Sequence, residues 1–223
     1  MFFPLRDENP TSRTAWVTIA LILANAAIFA LEVAVGPEGA QAIVSQYGLV
    51  PAEFVRDASA AWPTLVTSMF LHGGFLHLGG NLLYLWIFGN NVEEVLGPVR
   101  FALFYALVGF GAHFAHVITD PSSPVPTIGA SGAIAGVLAA YLVRYPGARV
   151  LSAVFLVFFI RVVRIPASLM IGAWLLLQIV GGASRFGAAG DSGGIAWFEH
   201  LGGFVAGLVL FRPLGGTWAW ARR

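Results

Sequence analysis

The chain has no cysteine and no lysine, and few charges of either sign. Without cysteine there is no disulfide scaffold, no thiol nucleophile and no thiolate-held metal. Charged residues make up 10% of the 223 residues, whereas a soluble domain carries about 25%. A net charge of +1 gives no electrostatic footprint for nucleic acid. What fills the space is apolar: 58% of residues are hydrophobic and 27 more are glycine, and the mean hydropathy is +0.80. A soluble globule of this size cannot hide that much apolar surface, and a disordered chain needs the opposite bias. The remaining class is a membrane protein with several spans.

The gaps between charges give the organisation. Residues 14–31, 58–92, 101–119, 121–143 and 165–184 carry no charge, and 192–211 carry only Glu199. A helix needs about 20 apolar residues to cross the hydrocarbon, and in lipid it satisfies its own backbone groups. The pattern predicts an all-α membrane protein with six spans, near 14–34, 69–90, 101–119, 129–143, 165–182 and 195–211. The run 150–160 is apolar but flanked by Arg149 and Arg161 and too short to span, so it is expected to be an interfacial or re-entrant piece. The 36–68 connection is rich in apolar residues (Leu49, Val50, Phe54, Val55, Trp62) and is expected to lie ordered on the membrane surface. The Gly-rich 183–194 segment is expected to be mobile. Residues 1–223 are read as one domain.

Arginine sets the orientation. With a cytoplasmic N-terminus and six crossings, the inner segments hold ten arginines: Arg6, Arg13, Arg100, Arg144, Arg149, Arg161, Arg164, Arg212, Arg222 and Arg223. The outer segments hold two, Arg56 and Arg185, as the positive-inside rule requires. A signal peptide is the alternative for the first span, but its apolar run is longer than a usual signal core and five more spans follow. A bacterial inner membrane with both termini inside is the default location.

Polar groups in hydrocarbon are costly, so each one is a candidate for function. They are His72, His77 and Asn81 in the second span, His113 and His116 in the third, Ser131 at the start of the fourth, Gln178 in the fifth, and Glu199 and His200 in the sixth. Spans two, four and six run in the same direction, which brings His77, Asn81, Ser131 and His200 to similar depth. At 1.5 Å rise per residue, Ser131 and His200 lie within about 10 Å of the outer surface. Ser131 sits in Gly129-Ala130-Ser131-Gly132, beside free N–H groups of a helix start. Serine needs a base to become a nucleophile, and histidine is the usual one. Gly203 and Gly207 give the His200 helix a small-residue face for close packing. His77 and Asn81, four apart, share a face and both donate hydrogen bonds. Each feature also has a plain reading. Gly-Ala-Ser-Gly is common packing material, a lone histidine often satisfies a core hydrogen bond, and His113, His116 and Gln178 read as interhelical contacts.

Together these motifs resemble the rhomboid family of intramembrane serine proteases. The resemblance runs from Trp62-Pro63-Thr64 through His72-Gly73-Gly74 to His77-Leu78-Gly79-Gly80-Asn81, then Gly129-Ala130-Ser131-Gly132, then His200 with Gly203 and Gly207. It implies a six-helix core and a Ser–His dyad with no third acid. Ser131 would be the nucleophile and His200 the base. His77, Asn81 and the Ser131 N–H would form the oxyanion hole, with Gly129, Gly132, Gly203, Gly207 and His72 in support. Segment 36–68 would be the family's membrane-lying loop and 183–194 its cap. Substrates would be membrane proteins cut near the outer face of a transmembrane segment, with the lipid bilayer as the other partner and no nucleic acid, metal or cofactor. Three departures stand out: Ala135 where some members carry an aromatic, Glu199 where alanine often precedes the base, and Pro63 where some carry arginine. Two other readings remain at this point, an inactive rhomboid-like scaffold and a small transporter. Oligomeric state is not legible in the sequence.

Overall fold

The computed structural model describes residues 2–156, 159–185 and 197–219. The cap expected at 183–194 falls almost wholly outside them. The fold is mostly helical. After strand β1 (Phe2–Asp7) comes α1 (Trp16–Ala34), then four short helices, α2 (Gly36–Tyr47), α3 (Pro51–Arg56), α4 (Ala58–Ala61) and α5 (Thr64–Thr67). A 3-10 turn at Ser68–Phe70 leads to α6 (Phe75–Tyr84), which runs through a π turn at Leu85–Gly89 into α7 (Asn90–Leu96). Then follow α8 (Pro98–Thr119), α9 (Ser131–Arg144), strands β2 (Arg149–Leu156) and β3 (Phe159–Pro166), α10 (Ala167–Arg185) and α11 (Trp197–Phe211).

Among the described residues, α1 and α8 are long and apolar enough to cross a membrane; α9, α10 and α11 are shorter apolar helices. The polarity of α1 is inside-out. Thr18, Asn25, Phe29 and Glu32 face the interior, while Leu23 and Leu31 are exposed. That arrangement suits a hydrocarbon solvent, in which polar groups must turn toward protein partners. The start of α1 has no side-chain cap of its own. The Glu93 carboxylate from α7 supplies one, accepting from the backbone N–H of Val17 (3.0 Å) and Thr18 (2.8 Å) and from the Thr18 hydroxyl (2.7 Å).

Two expectations need correction. The chain is not all-α: β1, β2 and β3 form an antiparallel sheet in that order, with Phe2 opposite Val154 and Arg149 opposite Pro166. The 150–160 run, too short to span as a helix, lies in the antiparallel pair formed by β2 and β3. Its Val, Ile and Phe content favours a strand, and eleven residues that cannot span as a helix are ample for one. The second helix also begins at Phe75 rather than near residue 69, because Gly73 and Gly74 break the apolar run and Gly74 is its N-cap at φ 153°. His72 thus precedes the helix instead of lying within it.

The 36–68 connection is ordered and pinned to the strap before α9. Leu49 and Thr127 exchange backbone hydrogen bonds (3.1 and 2.8 Å), and the Ala52 N–H donates to Ser123 O at 3.1 Å. At the centre is α9, buried continuously from Gly132 to Tyr141. It packs against α8 and α11 in a core that includes Phe101, Phe104, Val108, Leu138, Phe204 and Phe211. The α9–α11 approach depends on missing side chains: a Cβ on Gly207 would lie 2.5 Å from Gly136 Cα and 2.6 Å from its carbonyl oxygen. Backbone-to-backbone contact of this kind is how membrane helices associate without a hydrophobic drive.

Candidate active site

Ser131 is the first residue of α9, where the leading N–H groups have no intrahelical acceptor. Its hydroxyl lies 2.9 Å from His200 Nε2. Two residues earlier, Gly129 takes φ +119°, a conformation that side-chain-bearing residues rarely adopt. A Cβ there would sit 2.7 Å from His77 Nε2 and 3.6 Å from Asn81 Nδ2. Glycine at 129 is therefore required twice, by its backbone and by the ring beside it. The Gly129 N–H donates to Ser68 O at 2.8 Å, which fixes the strap.

Hydrogen bonds settle the tautomers around this point. The Gly73 N–H donates to His77 Nδ1 at 3.3 Å, so a neutral His77 carries its proton on Nε2 and directs it toward Gly129. His72 donates from Nδ1 to Phe70 O at 3.2 Å, leaving its Nε2 to accept from Asn81 Nδ2 at 3.0 Å. One Asn81 amide proton is thereby anchored, and the other has no acceptor among the described residues. Glu32, buried in α1, accepts the His72 N–H at 3.2 Å and holds the segment before α6. His72 thus supports Asn81 from behind.

His77, Asn81, Ser131 and His200 line one cavity of about 800 Å³, together with Trp174 and Gln178 of α10. All four residues that the sequence singled out for chemistry meet there. His116 also borders the cavity. His113 is turned away, with Nε2 3.1 Å from the Ser68 hydroxyl and Nδ1 3.3 Å from the Glu199 carboxylate, all three side chains being buried. Glu199 therefore faces α8 as well as bordering the cavity. Gly132 lets it do so, since a Cβ there would lie 3.0 Å from Glu199 Oε1.

The interhelical hydrogen bond expected of Gln178 is present, and its partner is His200, with Oε1 2.7 Å from Nδ1. Two polar partners, Glu32 and Ser68, escaped the sequence reading of the site. Glu32 lies within the first span and Ser68 at the end of the connection read as a loop. The available signal for both was the cost of a polar group in an apolar run, but only the fold shows what each one meets.

Comparison with known proteins agrees with this architecture. The family model for the rhomboid domain matches residues 59–216. The rhomboid protease GluP of Bacillus subtilis is 32% identical over 137 residues, covering 61% of this chain and 25% of that protein. Rhomboid protein 1 of Saccharomyces cerevisiae mitochondria is 30% identical over 151 residues, 66% of this chain and 40% of that protein. The inactive rhomboid protein 1 of Drosophila melanogaster is 33% identical over 78 residues, 35% of this chain and 5% of that protein. The chain spans less than half the length of each of these relatives. With the family model covering most of its length, the chain belongs to the rhomboid family, a family of integral membrane proteins that are usually serine proteases and include inactive members.

Proposed function

We propose that the protein is an intramembrane serine endopeptidase that cuts transmembrane segments of membrane proteins near the outer face. The observation that carries this reading is the 2.9 Å contact between Ser131 Oγ and His200 Nε2 at the wall of a cavity bordered by hydrogen-bond donors. In the proposed reaction the Ser131 hydroxyl attacks a peptide carbonyl and passes its proton to His200 Nε2. The oxyanion is held by His77 Nε2–H, the second Asn81 amide proton and the Ser131 N–H. The tetrahedral adduct collapses, the C–N bond breaks, and the amine leaves with the proton from His200. Water then enters, His200 takes its proton, and the ester to Ser131 is hydrolysed.

In this reading the helical stretches near 16–34, 75–96, 98–119, 131–144, 167–185 and 197–211 all cross the bilayer, with both termini on the cytoplasmic side of a bacterial inner membrane. The arginine distribution and the exposed apolar faces of α1 and α10 support it. A scaffold that binds membrane proteins without cutting is the second reading, favoured by the matching relative named inactive.

Covalent labelling with a fluorophosphonate in detergent tests the proposal. Wild type is expected to label, and Ser131→Ala and His200→Ala to stay blank. A folded wild type that does not label refutes the protease reading in favour of the scaffold.

A further inference from the structure

We propose that Gln178 is the positioning residue of His200, a neutral third partner that stands where other serine hydrolases place an acid. The inference rests on the protease reading above and goes beyond it. Gln178 lies on α10, its side chain almost fully buried at 5% exposure. Its Oε1 is 2.7 Å from His200 Nδ1, and its Nε2 donates back to Trp174 O, one turn earlier, at 3.3 Å.

The second bond decides the first. A carbonyl accepts only from the amide nitrogen, so Trp174 O orients the Gln178 amide with its oxygen toward the imidazole. An amide oxygen can only accept, so the proton of neutral His200 resides on Nδ1. The lone pair on Nε2 then faces Ser131, which is the tautomer a general base needs. A reversed amide would place its N–H against Nδ1, shift the ring proton to Nε2 and leave Ser131 without a base. The Trp174 indole lies against the same ring, centroids 5.8 Å apart and planes tilted by 40°, which limits its rotation.

Glu199, next to His200 in sequence, does not serve this purpose, because its carboxylate contacts His113 at 3.3 Å. A neutral acceptor also suits the location: it stabilises the imidazolium that forms when Ser131 gives up its proton, and it carries no charge of its own into the bilayer. Among the described residues, the titratable groups that act on His200 are Glu199 on its own helix and His77 on α6. Both are unchanged in the variants below.

The test measures the second-order rate of fluorophosphonate labelling of Ser131 against pH, together with kcat and KM on a transmembrane peptide substrate. Wild type, Gln178→Leu and Gln178→Glu are compared in detergent, with melting temperature as the folding check and Ser131→Ala as the blank. Gln178→Leu is expected to label about 10–100-fold more slowly and to lose kcat with little change in KM, the size of effect that follows from losing a hydrogen bond to a group that becomes charged. Gln178→Glu keeps an acceptor at the same reach. It is expected to recover most of the rate and to move the acidic limb of the pH profile upward, since a carboxylate favours the imidazolium. A purely structural glutamine would leave the pH profile where it is. Gln178→Leu labelling within threefold of wild type overturns the proposal while leaving the protease reading intact. If that variant does not fold, an unshifted acidic limb in Gln178→Glu overturns it instead. Failure of wild type to label removes the protease reading and this inference with it.

Discussion

Gly207→Ala is a severe test of the packing argument, because Gly207 touches no reacting group. It lies seven residues beyond His200 on α11, about 10 Å along the axis. A Cβ at 207 would meet Gly136 Cα at 2.5 Å, its carbonyl oxygen at 2.6 Å and its carbonyl carbon at 2.9 Å. All three are backbone atoms, so no side chain can swing aside. Ordinary contact begins near 3.4 Å, and restoring it requires α11 to move from α9 by close to 1 Å. Ser131 is at the head of α9 and His200 near the head of α11, joined across 2.9 Å. A rigid shift of that size takes the pair beyond hydrogen-bond reach. Misplacement by about 1 Å costs roughly 100-fold in rate, and overpacking costs about 1–3 kcal/mol of stability. Fluorophosphonate labelling and thermal melting in detergent read the two effects. Gly79→Ala on α6, where a Cβ meets nothing within 4 Å, is the control and is expected to fold and label normally. If Gly207→Ala labels within threefold of wild type, then α9–α11 contact does not set the serine–histidine distance.

Asn81→Ala is expected to lower kcat by about 10²–10³ with KM little changed, as for other oxyanion donors, measured on a transmembrane peptide; a change confined to KM refutes that role. Glu199→Leu removes the carboxylate 3.3 Å from the buried His113 ring and is expected to destabilise by about 1–3 kcal/mol, the cost of leaving a buried polar group unmatched. The double variant Glu199→Leu, His113→Leu is expected to lose less than the sum of the single ones, and additive losses in a melting cycle would refute the coupling. Burial raises the Asp7 carboxyl above its ordinary value, outweighing the hydrogen bonds from Tyr141 and Asn91 that act the other way. Between the unfolded and folded values the native state therefore holds more protons, and stability falls as pH rises through that window. Both bonds end on Oδ2, at 2.8 Å each, so the single carbonyl oxygen of Asp7→Asn can accept both. That variant is expected to lose stability less steeply than wild type between about pH 4 and the raised native value. Parallel melting curves across that range would refute the assignment.

How much the sequence disclosed follows from which costs are local. A polar group in hydrocarbon is costly wherever its helix points, so Ser131, His200, His77 and Asn81 stood out from the apolar runs around them, and shared helix direction gave their common depth. Partner choice is not local. Gln178 stands out by the same rule, yet its contact with His200 depends on how α10 is rotated against α11, which no spacing on either helix encodes. Secondary structure failed where composition carries no period. The 150–160 run reads as apolar whether it is a short helix or a strand, and its strand partner β1 lies some 145 residues away in sequence.

His72 shows how such a boundary changes chemistry. Counted inside a helix, its backbone N–H would bond to a carbonyl four residues back and its ring would be one more face of the second span. Because Gly73 and Gly74 delay the helix to Phe75, that N–H is left over and goes to Glu32 of α1. The ring turns inward, giving Nδ1–H to Phe70 O and Nε2 to Asn81. Two glycines that read as a weak point in a span thus create the support on which the Asn81 amide is oriented. Replacing them with alanine is expected to extend α6 toward residue 69 and to uncouple Asn81 from His72. The loss would appear in kcat, and in melting temperature as far as the extension displaces Met69, which packs on Gly109 of α8.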